Sequence, residues 1–405
     1  MSIVRSLVGY APAVVLPRLV ALLLVVVLTR LMPIAEYGLF TLVMVTGEAI
    51  DGIASNWLRI ALARFGGGRP ETIGPEAMRC GRLHLATLAV TVAAAVPAAL
   101  WVGRDRVGAF LVALLLYLAA IATVRFASTV MAARADRRGI FVVEIGRALA
   151  MLTTGVAGAL WIADDFLTVS ASSSAAVLLV GLWGLARALR DLDHAAPLPE
   201  PTRAVLAYAL PMIPAAAIAQ SLASADRFVL DAVAGPGAVA LYAAAIVLAR
   251  QPMEFLFTIA NVRVFAQLME SYEKEGAEIA GRRLGELTSG MALVTFPAAA
   301  GLVLVAEPLA RLVLAPDYVA TAVEVMPWAV AGALFSGFKL FVFDQVFHMV
   351  RSSWLNAVNA IPAGLVGLAA LALLVPGHGI LGAAMAFLIQ YAVLLATTIA
   401  ITRAK

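Results

Sequence analysis

The chain has 405 residues, 63% of them apolar and only 13% charged, with a net charge of +4 and one cysteine, Cys80. A soluble globular chain carries about 25% charged residues, so this sequence has too few polar groups to cover a water-facing surface of its size. A lone cysteine excludes an intrachain disulfide, and the composition makes the bilayer the default solvent.

A bilayer core of about 30 Å takes ~20 apolar residues per helix, because unpaired backbone groups cannot face lipid. Taken in chain order, such spans are predicted near 7–29, 38–61, 83–103, 107–131, 140–162 and 166–187, then near 204–231, 238–263, 286–306, 321–346, 355–375 and 380–402. Arg5 precedes the first span and Thr29-Arg30-Leu31-Met32-Pro33 follows it, so it reads as a retained helix and not a cleaved leader. The fold class expected is all-α, a polytopic membrane protein of about 12 transmembrane helices. Its domains would be an N-terminal six-helix lobe over 1–190, a polar, proline-rich cytoplasmic linker over 191–203, and a C-terminal six-helix lobe over 204–405.

Basic residues test the count independently. With the N-terminus inside, the cytoplasmic segments hold 17 Lys or Arg and the opposite side only Arg30, Arg104, Arg106 and Arg311. This alternation is the positive-inside bias, and it places both termini in the cytoplasm. Trp57, Trp101, Trp161, Trp183 and Trp354 fall near predicted helix ends, where an indole prefers the interface, and Trp328 in the outer third of its span. The longest loops expected are Gln267 to Glu286 on the cytoplasmic side and Glu307 to Thr321 on the other.

No enzyme signature, cofactor motif or nucleic-acid-binding pattern is present. His84, His194, His348 and His378 are isolated from one another and from Cys80, so no metal-ligand spacing exists. Gly66-Gly67-Gly68-Arg69-Pro70 lacks the Lys-Ser/Thr of a phosphate loop and reads as a flexible turn. Ser172-Ser173-Ser174 suits helix packing, and nothing nearby completes a metal motif around Asp164-Asp165.

Charge inside the spans is the informative feature. Arg18 lies in the first span, Arg125 in the fourth, Glu144 and Arg147 in the fifth, Arg250 and Glu254 in the eighth, and Lys339 and Asp344 in the tenth; Glu48 and Asp51 share one face of the second. Facing lipid, the five cations would cost on the order of 12–17 kcal/mol, more than a typical net stability of about 5–15 kcal/mol. They therefore point at each other, at acids, or at water. Glu144 with Arg147 and Arg250 with Glu254 stand at helical pairing distances and could simply tie the structure together. Arg18 and Lys339 have no acid three or four residues away, which favours a cationic, water-filled cavity for an anion such as pyrophosphate. Arg59 and Arg263 lie near helix ends and are expected to snorkel. Pro12, Pro17, Pro211, Pro214, Pro252, Pro297, Pro327 and Pro362 interrupt spans and would bend them.

Two segments echo each other: Thr29 to Phe40, joining the first two helices, and Leu230 to Tyr242, joining the seventh and eighth, each a helix end, a Pro turn and a new helix start. Together with Tyr208 to Pro214 and Ser224-Ala225-Asp226-Arg227-Phe228-Val229-Leu230-Asp231, the chain resembles oligosaccharide flippases. These form the polysaccharide-biosynthesis branch of the multidrug/oligosaccharidyl-lipid/polysaccharide (MOP) exporter superfamily. The resemblance implies two six-helix lobes in a MATE- or MOP-like arrangement around a central cavity, and a polyprenyl-pyrophosphate-linked oligosaccharide substrate. It also implies a bacterial inner membrane, with membrane lipid, a polysaccharide polymerase and other assembly proteins as partners. Cavity basic residues carry over to Arg18, Arg125, Arg147, Arg250 and Lys339; Glu48, Asp51, Glu144, Glu254 and Asp344 would serve ion coupling or pairing. The chain is short for the family and shows no thirteenth or fourteenth helix, which counts against the lipid II flippase branch. A drug/cation antiporter of the same superfamily is the alternative, disfavoured because the first helix has Arg18 and no acid. A membrane polymerase or ligase would need a long periplasmic loop.

Overall fold

The computed structural model describes residues 16, 19–66, 70–190, 192, 198, 200–349 and 354–403; Arg18, Pro12 and Pro17 lie outside them. Among the described residues the backbone is helical, with no strand. Ten stretches are long and apolar enough to cross a membrane, and a shorter apolar helix, α1 (Leu19–Leu31), precedes them. The last of the ten lies within α15 (Trp354–Arg403), which turns back on itself at Gly379, where φ is 53°. Asn359 Nδ2 donates to Thr398 Oγ1 at 2.5 Å, and the backbone at Gly367 lies against Gln390. Both pairs are symmetric about this turn, so α15 is an antiparallel hairpin of two spans. The chain is thus a multi-pass, all-α membrane protein.

The chain divides into two compact units that meet between Ser224 and Ala225. The first contains α2 (Ile34–Ala54), α3 (Asn56–Gly66), α4 (Pro70–Val102), α5 (Val107–Ala133), α6 (Arg137–Trp161), α7 (Phe166–Leu189) and α8 (Thr202–Ala209), and α9 (Met212–Ala234) runs across the junction. The centre of this unit is α5, packed on α2, α3, α4, α6 and α7. Its first half is apolar on every side, with Phe110, Leu114 and Leu118 buried, as an enclosed helix must be, and its second half carries Arg125, Ser128 and Thr129. Helix α7 approaches it through small residues: Gly181 backs onto Val124, and Gly158 of α6 faces Ser172. The serine run therefore packs helices, with Ser173 Oγ donating to the Val169 carbonyl at 2.6 Å. Asp165 caps α7 by accepting from the Thr168 N–H at 2.9 Å. The unit extends past the 191–203 stretch. Arg79 donates to the Glu200 carbonyl at 2.6 Å, and Tyr208 of α8 packs edge-on against Phe65 at 5.6 Å.

The second unit contains α10 (Pro236–Glu275), α11 (Ala277–Leu304), α12 (Ala306–Val313), α13 (Pro316–Phe338), a π-helical turn (Lys339–Phe343), α14 (Asp344–Met349) and α15. Here α13 is central, against α10, α11, α12 and α15, with Ala322, Val325, Met326, Ala329 and Val330 buried. Pro252, Pro297, Pro327 and Pro362 lie inside helices, and Pro211 stands at the break between α8 and α9.

Several predicted loops are helices. The stretch before residue 83 is already α4, started by Pro70 with its preset φ. The segment from Gln267 to Glu286 is the continuation of α10 and the start of α11, separated only by Gly276 at φ 89°, and Glu307 to Arg311 is one charge-paired turn of α12. Charge limits how far a helix can lie in lipid, but it does not end the helix. The single span predicted over 38–61 is broken at Ser55, where the Trp57 indole N–H donates to the Ala54 carbonyl at 2.8 Å. Trp57 is therefore buried and repairs a helix break, and is not an interface anchor; Trp101, Trp161 and Trp183 are exposed.

Candidate functional site

The break at Ser55 turns α3 so that Arg59 points back to Asp51. Arg59 Nη1 donates to Asp51 Oδ1 at 3.0 Å, and Arg125 Nη1, from α5, donates to Asp51 Oδ2 at 2.6 Å. The Asp51 carboxylate, 1% exposed, is thus enclosed between two guanidinium groups. The same Arg125 reaches Glu48 through Nη2, and the Tyr117 hydroxyl donates to Glu48 Oε1 at 3.0 Å. Tyr117 crosses α2 at Gly47, where a Cβ would lie 2.3 Å from the ring. Arg125 is 31% and Glu48 38% exposed, so this end of the cluster is open while Asp51 is sealed.

A second cluster lies on α6 in the same unit. Arg147 Nη2 donates to Glu144 Oε2 at 3.1 Å, and Ser128 Oγ of α5 donates to Glu144 Oε1 at 3.2 Å. A void of about 20 Å3, lined by Tyr117, Arg147, Ser173 and Ser174 among others, lies between the clusters and has room for a single water. An open cleft of about 530 Å3 runs beside Arg59, Ala63, Ser128, Thr129 and Ala132. Arg59, Arg125 and Arg147 are matched by Glu48, Asp51 and Glu144, so the site is charge-neutral as it stands.

In the second unit the candidates pair within their own segments. Arg250 Nη2 donates to Glu254 Oε1 at 2.7 Å, and its guanidinium lies 6.0 Å from the Phe387 ring. Lys339 Nζ donates to Asp344 Oδ2 at 2.8 Å, with both side chains nearly enclosed. Lys339 is not the isolated cation its spacing predicts. The π-helical turn brings residues five apart onto one face, a spacing an α-helix does not pair.

The structure thus gathers Glu48, Asp51, Arg125, Glu144 and Arg147 in one unit and Arg250, Glu254, Lys339 and Asp344 in the other. Sequence reading missed three contributors. Arg59 was expected to snorkel and instead closes the Asp51 site; only the helix break reveals it. Tyr117 and Ser128 are neutral residues in apolar runs and carry no sequence signal. Also missed was Asp226, which accepts from the Tyr242 hydroxyl at 2.8 Å and from Arg227 at 2.9 Å. That contact joins Asp226-Arg227 and Gly235-Pro236…Tyr242 as a clasp between α9 and α10. The side chain of Arg263 lies outside the described residues.

No protein-family model matches the chain, and no curated protein sequence matches it. Solved structures do. It is similar to a lipid II flippase MurJ in an inward closed conformation, with TM-score 0.78 and 11% identity over 98% of this chain and 87% of that one. It is equally similar to a multidrug resistance MATE family transporter of the MOP superfamily in an inward-facing conformation, with TM-score 0.78 and 14% identity over 96% and 94%. A MOP superfamily transporter from Pyrococcus furiosus, described as having a binding pocket of reverse polarity, matches with TM-score 0.66 and 13% identity over 99% and 94%. The fold of this chain is that of the MATE and MOP transporters.

Proposed function

We propose that the chain is a transporter that moves a polyprenyl-pyrophosphate-linked oligosaccharide from the cytoplasmic to the periplasmic leaflet of a bacterial inner membrane by alternating access, for surface polysaccharide assembly. The shared fold supports a transporter. Arg125 carries the choice of substrate: a guanidinium at membrane depth, 31% exposed, beside a cleft lined by Arg59, Ser128 and Thr129. Its two terminal nitrogens are held by Asp51 and Glu48, and a phosphate reaching its open side would compete for a fork of N–H donors that suits phosphate oxygens. The cation-exporting alternative fits less well. Both Asp51 oxygens accept from guanidinium groups, so the Glu48–Asp51 pair offers a cationic drug little free negative charge.

The test is purified full-length protein in proteoliposomes with a fluorescent prenyl-pyrophosphate-linked oligosaccharide, scored by leaflet-selective quenching. Translocation that is slowed at least about tenfold in Arg125→Gln, a loss of the order of one charge-assisted contact, is the expected result. Expulsion of ethidium with no movement of the lipid-linked sugar would replace this reading with the antiporter one.

A further inference from the structure

A carboxylate that meets a guanidinium readily takes it fork on fork, with both oxygens on two nitrogens. Asp51 does not take Arg125 in that way, because its two oxygens are divided. Oδ1 accepts from Arg59 Nη1 at 3.0 Å, and Oδ2 accepts from Arg125 Nη1 at 2.6 Å. Arg125 is therefore tethered to Asp51 through one nitrogen. It stays partly open, while the carboxylate it is tethered to is sealed.

Helical spacing alone does not bring Arg59 to this place. Residues eight apart in an unbroken α-helix lie about 12 Å apart along the axis and on different faces. The break between α2 and α3 supplies the contact. The Leu58 N–H donates to the Ser55 carbonyl at 3.2 Å, whereas in a regular helix it would reach Ala54. The Ala54 carbonyl accepts from the Trp57 indole instead. Trp57 is buried, so a fixed ring holds the break and, with it, the place of Arg59.

We propose that Arg59 is a positioning residue for the anionic headgroup. By occupying one oxygen of Asp51, it prevents that carboxylate from drawing the Arg125 fork into the sealed end of the cluster. Arg125 then stays turned to its open side. Arg59 acts through Asp51 and needs no contact with the ligand, although it also borders the cleft. The inference rests on the transport reading above and deepens it by dividing the two arginines: Arg125 meets phosphate, and Arg59 keeps it available.

The test is calorimetric titration of purified full-length protein in detergent with geranyl pyrophosphate, each variant being checked by its unfolding midpoint. Arg59→Gln should raise Kd about tenfold, the order of one charge-assisted contact. In an Arg125→Gln background, and separately in an Asp51→Asn background, the same substitution should change Kd by less than about twofold. The first background has no fork to misplace, and the second has no carboxylate to misplace it. If Arg59→Gln alone does not fold, Asp51→Asn is compared with the charge-balanced Asp51→Asn/Arg59→Gln. Equal Kd in those two supports the proposal, and weaker binding by the double variant overturns it. Losses of similar size in all backgrounds would mean that Arg59 touches the ligand or acts by its charge alone. An unchanged Kd in Arg59→Gln would mean that Arg125 needs no such restraint. Either result overturns the proposal and leaves the transport reading standing. Binding that Arg125→Gln does not weaken, or no binding to wild type, overturns both.

Discussion

Lys339 Nζ and Asp344 Oδ2 lie 2.8 Å apart across a π-helical turn, enclosed by the core of the second unit. Five residues of separation would place them on different faces of an α-helix; the wider turn makes them neighbours.

Removing one partner should therefore cost more than removing both. Asp344→Leu is expected to destabilise by about 3–5 kcal/mol, because it takes from a buried ammonium the carboxylate that accepts its hydrogen bond. Lys339→Met/Asp344→Leu should recover much of that loss. Thermal unfolding of the detergent-solubilised protein checks both; a double variant no more stable than the worse single one would show that the pair is not the source of the effect.

Gly47 tests the route by which Tyr117 reaches Glu48. A methyl group at this position would lie 2.3 Å from the Tyr117 ring, so Gly47→Ala should cost about 1–3 kcal/mol through overpacking. Gly47→Ala/Tyr117→Ala should relieve that clash, which a double-mutant cycle on unfolding midpoints would report as strong coupling.

The hairpin of α15 turns on one backbone angle. Gly379 has φ 53° and ψ −125°, a combination that glycine adopts readily and that costs a residue with a side chain about 1–3 kcal/mol. Gly379→Ala should be destabilising, whereas Gly377→Ala, in helical backbone with open space around it, should be neutral or stabilising by up to about 1 kcal/mol. Comparable losses in the two variants would remove Gly379 as the hinge of the hairpin.

Asp136 lies outside the spans and supplies a pH-dependent contribution. The Gly139 backbone N–H that it accepts first of all, then Arg187, hold its carboxyl below the usual range. Its stabilisation is fully present above the ordinary carboxylate pKa and is lost as pH falls through the lowered one. Asp136→Asn, which keeps a capping oxygen but not the charge, should lower stability modestly at neutral pH and change little in acid, where Asp136 is itself protonated, and so flatten the acid side of the stability curve. An unchanged acid limb would assign that limb to other groups.

Much of this was legible in the sequence where local rules apply. The spans follow from apolar length, and Glu144–Arg147 and Arg250–Glu254 follow from helical spacing, because each pair stays within one uninterrupted helix. What escaped depends on departures from regular helix. Arg59 joins Asp51 only because Ser55 interrupts the second span, and Lys339 finds Asp344 only through a π turn. Tyr117 and Ser128 are polar atoms on an apolar helix, and their role appears only when α2 and α6 are laid against α5. The charged stretches before residue 83 and around Gly276 were read as loops because charge excludes them from lipid, which says nothing against a helix in water.

Helix α10 has 40 residues, about 60 Å of rod in a hydrocarbon layer about 30 Å deep. Its far end carries a small core of its own, Leu268 and Ala280 with Tyr272 and Leu284, clamped by Arg283 on Glu275. A rod that is half in water magnifies any tilt of its submerged half, so the tip at Gly276 is a natural pointer. A spin label there would report angular excursions of the Arg250 region that are too small to see at the charge itself.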